Sequence, residues 1–440
     1  MSTLITNGYV VNPAGKSGDI DILIKDGKVA NMVPTPSGLD GDYLIDAKGW
    51  CVAPGLVDTH VHFRDPGQTH KEDIYSGADA AAHGGYTSVV MMANTSPPID
   101  NVETLSYALE RGANTQINIE ACANVTVGME GKKLTDMEAL VKAGAVGFTD
   151  DGKPIQDAGL VKEAMIRAKE LGVPISFHEE DPRFITTPGY NASDVIREGI
   201  GIEGADRKAE WTMIERDAAL AAETGAEIVI QHISTKEGVD IIRDYRSDGY
   251  TNIHAEATPH HFTLTEDDVL KHRTLAKMNP PLRTERDRIA IVEGLLDGTI
   301  ELVSTDHAPH TAEEKNWPLD KAPSGIIGLE TAFGLTLEEI LYIPNISSPN
   351  YRWLEDVIKR MSVNPARIYG LRAGIIKTDA PADLIVFDPN ARRVIREEEF
   401  ASKAKNSPFI GRTVRGKIKY TICNGKIVYS NAWRKWKNSR

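Results

Sequence analysis

Five short stretches end apolar runs with groups that can bind a metal or move a proton: "VDTHVH" (57–62), "GFTDD" (147–151), "ISFH" (175–178), "IVIQH" (228–232) and "STDHAPH" (304–310). Neutral imidazole and carboxylate are the ligand types of zinc and related divalent ions, which polarise carbonyls and acidify water. Side chains alternate along a strand, so Asp58, His60 and His62 share one face and Val57, Thr59 and Val61 the other. The valines suit a layer under helices, which turns both imidazoles toward one mouth. Alone, this H-x-H pattern is weak evidence for a metal and reads more readily as two satisfied structural histidines. His178 or His232 alone reads as a hydrogen-bonded core or surface residue. Four histidines and Asp306, all closing apolar runs, together favour a divalent metal centre.

The pair Asp150–Asp151 sharpens that reading. Two divalent ions about 3.5–4 Å apart repel strongly and need an anionic bridge between them. By alternation Gly147, Thr149 and Asp151 lie on one face, with Phe148 and Asp150 on the other. If Phe148 faces the helices, Asp151 is the bridge and Asp150 serves the following loop or helix cap. The alternative is that both acids cap the turn after them.

The elements that must hold these groups alternate along the chain. Strand-like runs occur at "GLVDTHVH", "TSVVMMAN", "INIEACAN", "AVGFTDD", "VPISFH", "AEIVIQH", "NIHAEAT" and "TIELVSTD". Helix-like stretches such as "KEDIYSGADAAAHGG", "AGLVKEAMIRAKELG" and "DRKAEWTMIERDAALAAETG" fall between several of them. Eight such runs predict an α/β fold, a (β/α)8 TIM barrel, with its site at the C-terminal ends of the strands. The runs end on His62, Asn94, Asn124, Asp151, His178, His232, Thr258 and Asp306. The barrel is expected over 54–372. Both ends of the chain are β-rich and carry Asn-Gly or Asp-Gly hairpin signals, in "LITNGYVV", "DILIKDGKVANM" and "YTICNGKIVY". Residues 1–53 and 373–440 are therefore expected to form one small β-sandwich domain from both termini.

Composition removes several function classes. A net charge of −13 repels phosphate, so neither nucleic acid nor an anionic membrane is an expected partner. The basic "RKWKNSR" (434–440) reads as a solvated tail. Cys51, Cys122 and Cys423 lie far apart in no metal-like spacing, and no apolar run approaches a membrane span. A reducing, cytoplasmic setting is the expectation. "GIGIEG" (199–204) has no preceding strand and reads as a loop without dinucleotide meaning. His260 and His261 read as packing or supporting residues, and the polar segment 311–325 as either a cover for the site or an ordinary connection.

The motifs "DTHVHFRDPG", "MMANTSPP", "GFTDDG", "TPHHF", "MNPPLR", "STDHAPH" and "KNSPFIG" resemble those of the class I dihydroorotases of the amidohydrolase superfamily, over nearly the whole chain. The resemblance implies two Zn2+ ions, one taking His60, His62, Asp151 and Asp306, the other Asp151, His178 and His232. It implies a substrate-carboxylate clamp of Arg64, Asn94 and His310, with Asn279, His62, Ser324 and Gly325 also against the substrate. It further implies Asp306 as the proton-transferring group and N-carbamoyl-L-aspartate and L-dihydroorotate as substrates, in pyrimidine synthesis. A homodimer, with aspartate transcarbamoylase as an associated partner, belongs to the same implication. Many relatives bridge with a carboxylated lysine, whereas aspartate stands here, as in one bacterial branch. Ala93 stands where proline is usual and Ser324 where phenylalanine is common, and both are expected on the pocket wall. A hydantoinase or allantoinase would usually supply lysine at the fourth run and lack Arg64 and His310. A non-catalytic scaffold relative would typically have lost ligands, and all six positions are filled here.

Overall fold

Eight of the β-rich runs pair in chain order into a parallel sheet, described by a computed structural model over residues 1–341 and 351–431. The barrel strands are Leu56–Val61, Tyr86–Met91, Asn118–Ala123, Gly147–Phe148, Ile175–Phe177, Ile228–Ile230, Ile253–Ala257 and Leu302–Val303. The first meets the eighth through a parallel bridge between Val61 and His307, where His62 N donates to the His307 carbonyl at 2.9 Å. Helices Ile74–Gly84, Ala158–Leu171 and Lys208–Thr224 occupy the three stretches read as helical. Their starts and stops follow from local chemistry. Asp73 and Asp157 accept main-chain N–H bonds at two N-termini, and the left-handed glycines Gly85, Gly172 and Gly225 end all three.

Strand alternation sorts the barrel's side chains into two layers. Val89, Met91, Phe148, Ile228 and Ile230 pack in the large core shared with the helices. Val90, Cys122, Val229 and Leu302 join Tyr369 in a separate cluster. Their strands are not all neighbours, so these residues meet only across the barrel interior. Above them the Gln231 amide donates to Ser176 Oγ at 3.2 Å, giving the site a polar floor.

Both termini build the second sheet, of nine strands. Leu384–Val394 pairs antiparallel with Cys51–Pro54, and Ile5, Ile22, Ile45, Val52, Leu384 and Val386 share one core. The turns Asp26-Gly27 and Asn424-Gly425 have positive φ at both positions, the geometry that favours these residue pairs in tight hairpins. Asn7-Gly8 departs from the hairpin expectation. The strands on either side of it, Ser2–Thr6 and Tyr9–Val10, pair with Gly18–Lys25 and not with each other. A Cβ at Gly8 would stand 2.8 Å from Ala47 Cβ, so close packing rather than a tight turn requires glycine there.

Two further readings change in detail. The "GIGIEG" stretch begins inside the helix Asp194–Ile200, and Gly201 is that helix's left-handed cap. The tail 434–440 lies outside the described residues. No helix among the described residues is long and apolar enough to cross a membrane.

Candidate active site

Four imidazoles and two carboxylates converge at the C-terminal end of the barrel, each at most 8% exposed. Asp151 is the centre of the group. Its Oδ1 lies 3.6 Å from His60 Nε2, 3.6 Å from His178 Nδ1 and 3.8 Å from His232 Nε2, and its Oδ2 lies 3.5 Å from His62 Nε2. Asp306 Oδ1 stands 2.9 Å from His62 Nε2 and 3.5 Å from His60 Nε2. Two sets have metal-ligand spacing, His60–His62–Asp151 and Asp151–His178–His232, and they share Asp151.

Different backbone devices bring these groups together. Asp151 follows Gly147 and Thr149 on the interior face, while Phe148 packs toward the helices as alternation requires. Asp150 turns the other way: its carboxylate accepts from Val125 N and Thr126 N at 2.9 and 3.2 Å and from the Thr126 hydroxyl. It fastens the loop after the third strand instead of capping the following turn. His232 breaks the alternation. Val229 and Gln231 point inward, so His232 would point outward, but its φ of +33° turns it back to the site. Asp306 is likewise left-handed, at +48°. In the first strand the register slips between Asp58 and Val61, so simple alternation does not hold across it. Asp58 is fully buried and binds Thr305 N and His60 N rather than joining the two imidazoles.

The outer nitrogens test whether this set suits a cation. His60 Nδ1 donates to Glu256 Oε1 at 2.5 Å, His62 Nδ1 to Asn94 Oδ1 at 2.9 Å, and His178 Nε2 to Glu180 Oε2 at 2.9 Å. Each bond holds a proton on the far nitrogen and leaves the near lone pair aimed at the centre, the usual support of a metal-bound imidazole. His60 Nε2 is buried and has no hydrogen-bond partner. The field points the same way. Burial opposes charge on Asp151, yet its contacts with His178, His232 and His60 hold it well below the usual carboxylate range. The carboxylates in turn raise His178 to about 10 against the effect of burial. A centre that draws this much positive charge onto its imidazoles suits a divalent ion, and the donor set fits one.

The group opens into a cavity of about 400 Å³. Every residue that the family resemblance places against substrate lines it: His62, Arg64, Asn94, Asn279, His310, Ser324 and Gly325. Arg64 Nε donates to the Pro309 carbonyl at 3.3 Å, and its Nη2 lies 3.4 Å from His310 Nε2. His310 Nε2 donates to the Ser324 carbonyl at 2.9 Å, and burial, with Arg64 beside it, holds this imidazole well below its ordinary range. Asn94 is more than a wall residue, since its Nδ2 donates to Asp151 Oδ2 at 2.9 Å. Ser324 Oγ donates to Asn279 Oδ1 at 3.1 Å. Ala93 does not reach the wall. It is fully buried in the core between barrel and helices, because it alternates with Asn94. Segment 311–325 reaches the site at its end: Thr311 caps a short helix, Ala312–Lys315, and residues 320–325 form one side of the cavity. His261 is held by Thr258 Oγ1 and the Pro280 carbonyl, a packing role.

Sequence reasoning passed over Glu256, Glu180 and Asn406. Glu256 grips His60 and accepts from His232 N at 3.3 Å, and its signal was an acid between two alanines in the strand run "NIHAEAT". Asn406, in "KNSPFIG", donates to the carbonyls of Ala308 and Gly325 at 3.1 and 3.2 Å, so a motif from the end of the chain fixes two site loops.

Comparison with known proteins agrees with this geometry. Residues 51–428 match the amidohydrolase family. A dihydroorotase of Clostridioides difficile is 52% identical over 97% of this chain and 99% of its own length. One of Clostridium acetobutylicum is 50% identical over 97% and 99%. Among solved structures, the L-hydantoinase (dihydropyrimidinase) of Arthrobacter aurescens superposes with a TM-score of 0.84 at 26% identity, over 97% of this chain and 96% of that one.

Proposed function

The chain belongs to the amidohydrolase family, among its dihydroorotases, and from that premise we propose that its cavity interconverts N-carbamoyl-L-aspartate and L-dihydroorotate on a centre of two zinc ions. The reaction class is that of a cyclic amide hydrolase, in pyrimidine biosynthesis. The observation that carries the reading is the pair of ligand sets sharing Asp151, opening into a cavity where Arg64 stands beside His310.

In this reading His60, His62, Asp151 and Asp306 hold one ion, and Asp151, His178 and His232 the other. Such ions supply a polarised amide carbonyl and a water whose pKa falls to about 7. The chain's own residues do the rest. Arg64 presents its guanidinium to the ring carboxylate, a charge-assisted and potentially bidentate bond that hydantoins and dihydropyrimidines cannot make. Asn94, Asn279 and the 324–325 wall orient the ring. Burial opposes charge on Asp306, but His60 and His62 outweigh it and keep the carboxylate ionised, the form a proton acceptor must have. In hydrolysis it takes the proton of the attacking water and passes it to the departing ring nitrogen. In cyclisation it removes the ureido proton and returns it to the leaving oxygen. The reading extends to a cytoplasmic homodimer that associates with aspartate transcarbamoylase, which draws on the family resemblance alone.

The test is a substrate panel. Metal-loaded enzyme is assayed with dihydroorotate, hydantoin, allantoin and dihydrouracil. Preference for dihydroorotate by a factor of a hundred or more supports the assignment, and preference for a ring without the carboxylate refutes it.

A further inference from the structure

Two lysines at the cavity wall, Lys277 lining it and Lys315 behind it, have no part in the chemistry described above. Lys277 and Lys315 are 2% and 4% exposed. Neither makes an ion pair with a carboxylate among the described residues; both spend their ammonium protons on main-chain carbonyls of a single segment. Lys277 Nζ donates to the Leu319 carbonyl at 2.9 Å and lies 3.4 Å from that of Asp320. Lys315 Nζ donates to the carbonyls of Pro323 and Gly325 at 2.8 and 3.0 Å. The Lys277 ammonium also lies 5.2 Å from the centre of the Tyr190 ring, whose hydroxyl donates to the same Leu319 carbonyl at 3.0 Å.

Burying an ammonium without a carboxylate partner is unfavourable. Burial pushes the Lys277 pKa down, and burial together with Lys277 brings Lys315 to about 7. The surroundings are shaped to accept that cost. Gly189 has φ of +85°, and a Cβ there would stand 2.6 Å from both Lys277 Cγ and Ser324 Oγ. Gly325 has φ of +106°, and a Cβ there would stand 2.6 Å from Ala308 Cβ. Lysine stem, wall and strand-eight loop are therefore packed as closely as glycine allows. The main chain adds to the tether, with Gly325 N donating to the Lys277 carbonyl at 2.8 Å.

We infer that Lys277 and Lys315 are positioning residues of the reaction: by gripping the carbonyls of segment 319–325 they set Ser324 and Gly325 against the substrate, and so control binding rather than the chemical step. The inference rests on reading this cavity as the dihydroorotate site. Its first consequence does not depend on that reading: without the lysines, the segment should loosen.

The experiment uses the full-length, metal-loaded enzyme with Lys277→Met and Lys315→Met, singly and together. Lys321 is exposed within the tethered segment, so trypsin cleavage after it, followed by fragment mass, reports the tether without any substrate. Cleavage should quicken about tenfold or more in the double variant. KM for dihydroorotate should rise about tenfold or more in each single variant, the scale expected for losing hydrogen bonds from a charged donor, with kcat within about threefold and metal content unchanged. Unchanged cleavage, or unchanged KM despite faster cleavage, would overturn the inference. So would single variants that do not fold with their metal, since the lysines would then be structural. A parent enzyme inactive on dihydroorotate but showing the cleavage difference would sink the substrate assignment and leave the tether standing.

Discussion

Arg64 adopts a φ of +57°, a backbone region that residues with a Cβ seldom occupy, two residues after His62 and just past the first barrel strand. That turn sends its guanidinium over the cavity toward His310 instead of back along the strand. Its hydrogen bonds go to Pro309 and His310 and to none of the proposed metal ligands, so recognition and metal binding should be separable by mutation. Truncating one partner of a buried charge pair costs about 2–5 kcal/mol. Arg64→Met should therefore lower kcat/KM for dihydroorotate roughly 30- to several-thousand-fold, about 1.36 kcal/mol being tenfold. Zinc content should not change, and activity on dihydrouracil should fall far less. Equal losses on the two substrates would mean that Arg64 shapes the cavity without reading the carboxylate. At this scale much of the site was legible, because a strand that ends in a histidine or aspartate exposes its chemistry in its spelling. What stayed hidden needed backbone geometry: the left-handed turn at His232, which alternation would have sent outward, and the bulge that diverts Asp58. Ala93 was misread for the opposite reason, since the motif drew attention to it while strand alternation buries it beside Asn94.

Among the elements, the seventh strand, Ile253–Ala257, serves both ends of the barrel. At its C-terminal end Glu256 holds His60 for the site. Near its N-terminal end His254 lies between two acids, its Nε2 donating to Glu227 at 2.6 Å and its Nδ1 to Glu301 at 2.5 Å, with Arg246 and Arg367 also on Glu301. Burial would lower the His254 pKa, but the two carboxylates outweigh it and raise it above 6.5. Burial would raise that of Glu301, yet His254 and Arg246 bring it down to about 2. The histidine's contribution is full below its unfolded pKa, near 6.5, and is lost as pH rises through the raised folded value. The acid's contribution is full above its unfolded value, near 4.5, and is lost as pH falls toward about 2. His254→Gln should thus destabilise the enzyme most between about pH 4.5 and 6.5, by on the order of 3 kcal/mol, read from urea midpoints across pH. A deficit that is flat with pH would show that His254 is held by packing and not by charge. Neither acid's partnership could be read from "NIHAEAT", because Glu227 and Glu301 come from other parts of the chain and meet His254 only once the barrel forms.

For the whole molecule, segments from near both ends of the chain are joined in one sheet. The hairpin tips Gly27 and Gly425 abut so closely that a Cβ on Gly425 would lie 2.6 Å from Gly27 Cα. The Ala382 amide donates to the Gly27 carbonyl at 2.9 Å, and the Gly425 amide to the Ala382 carbonyl at 3.0 Å. Sequence patterning anticipated that both ends would share a sheet, since each carries a β-rich run with a turn pair. It could not supply the strand order, which depends on contacts between the first fifty residues and the last sixty or so. We propose the division into 1–53 with 373–440 and 54–372 as the two units of this architecture. The likeness in fold to a hydantoinase, set beside higher identity to dihydroorotases, means that the scaffold alone does not choose the reaction. In the proposed reading Arg64 makes that choice and the centre built on Asp151 supplies the hydrolysis, and counting its metals tests that centre most directly. Zinc is measured per subunit in the parent, in Asp151→Ala and in Asp150→Ala after exhaustive dialysis. The account predicts two equivalents in the parent and in Asp150→Ala, with one or none in Asp151→Ala and almost no activity. A fully loaded Asp151→Ala beside a metal-free Asp150→Ala would contradict it.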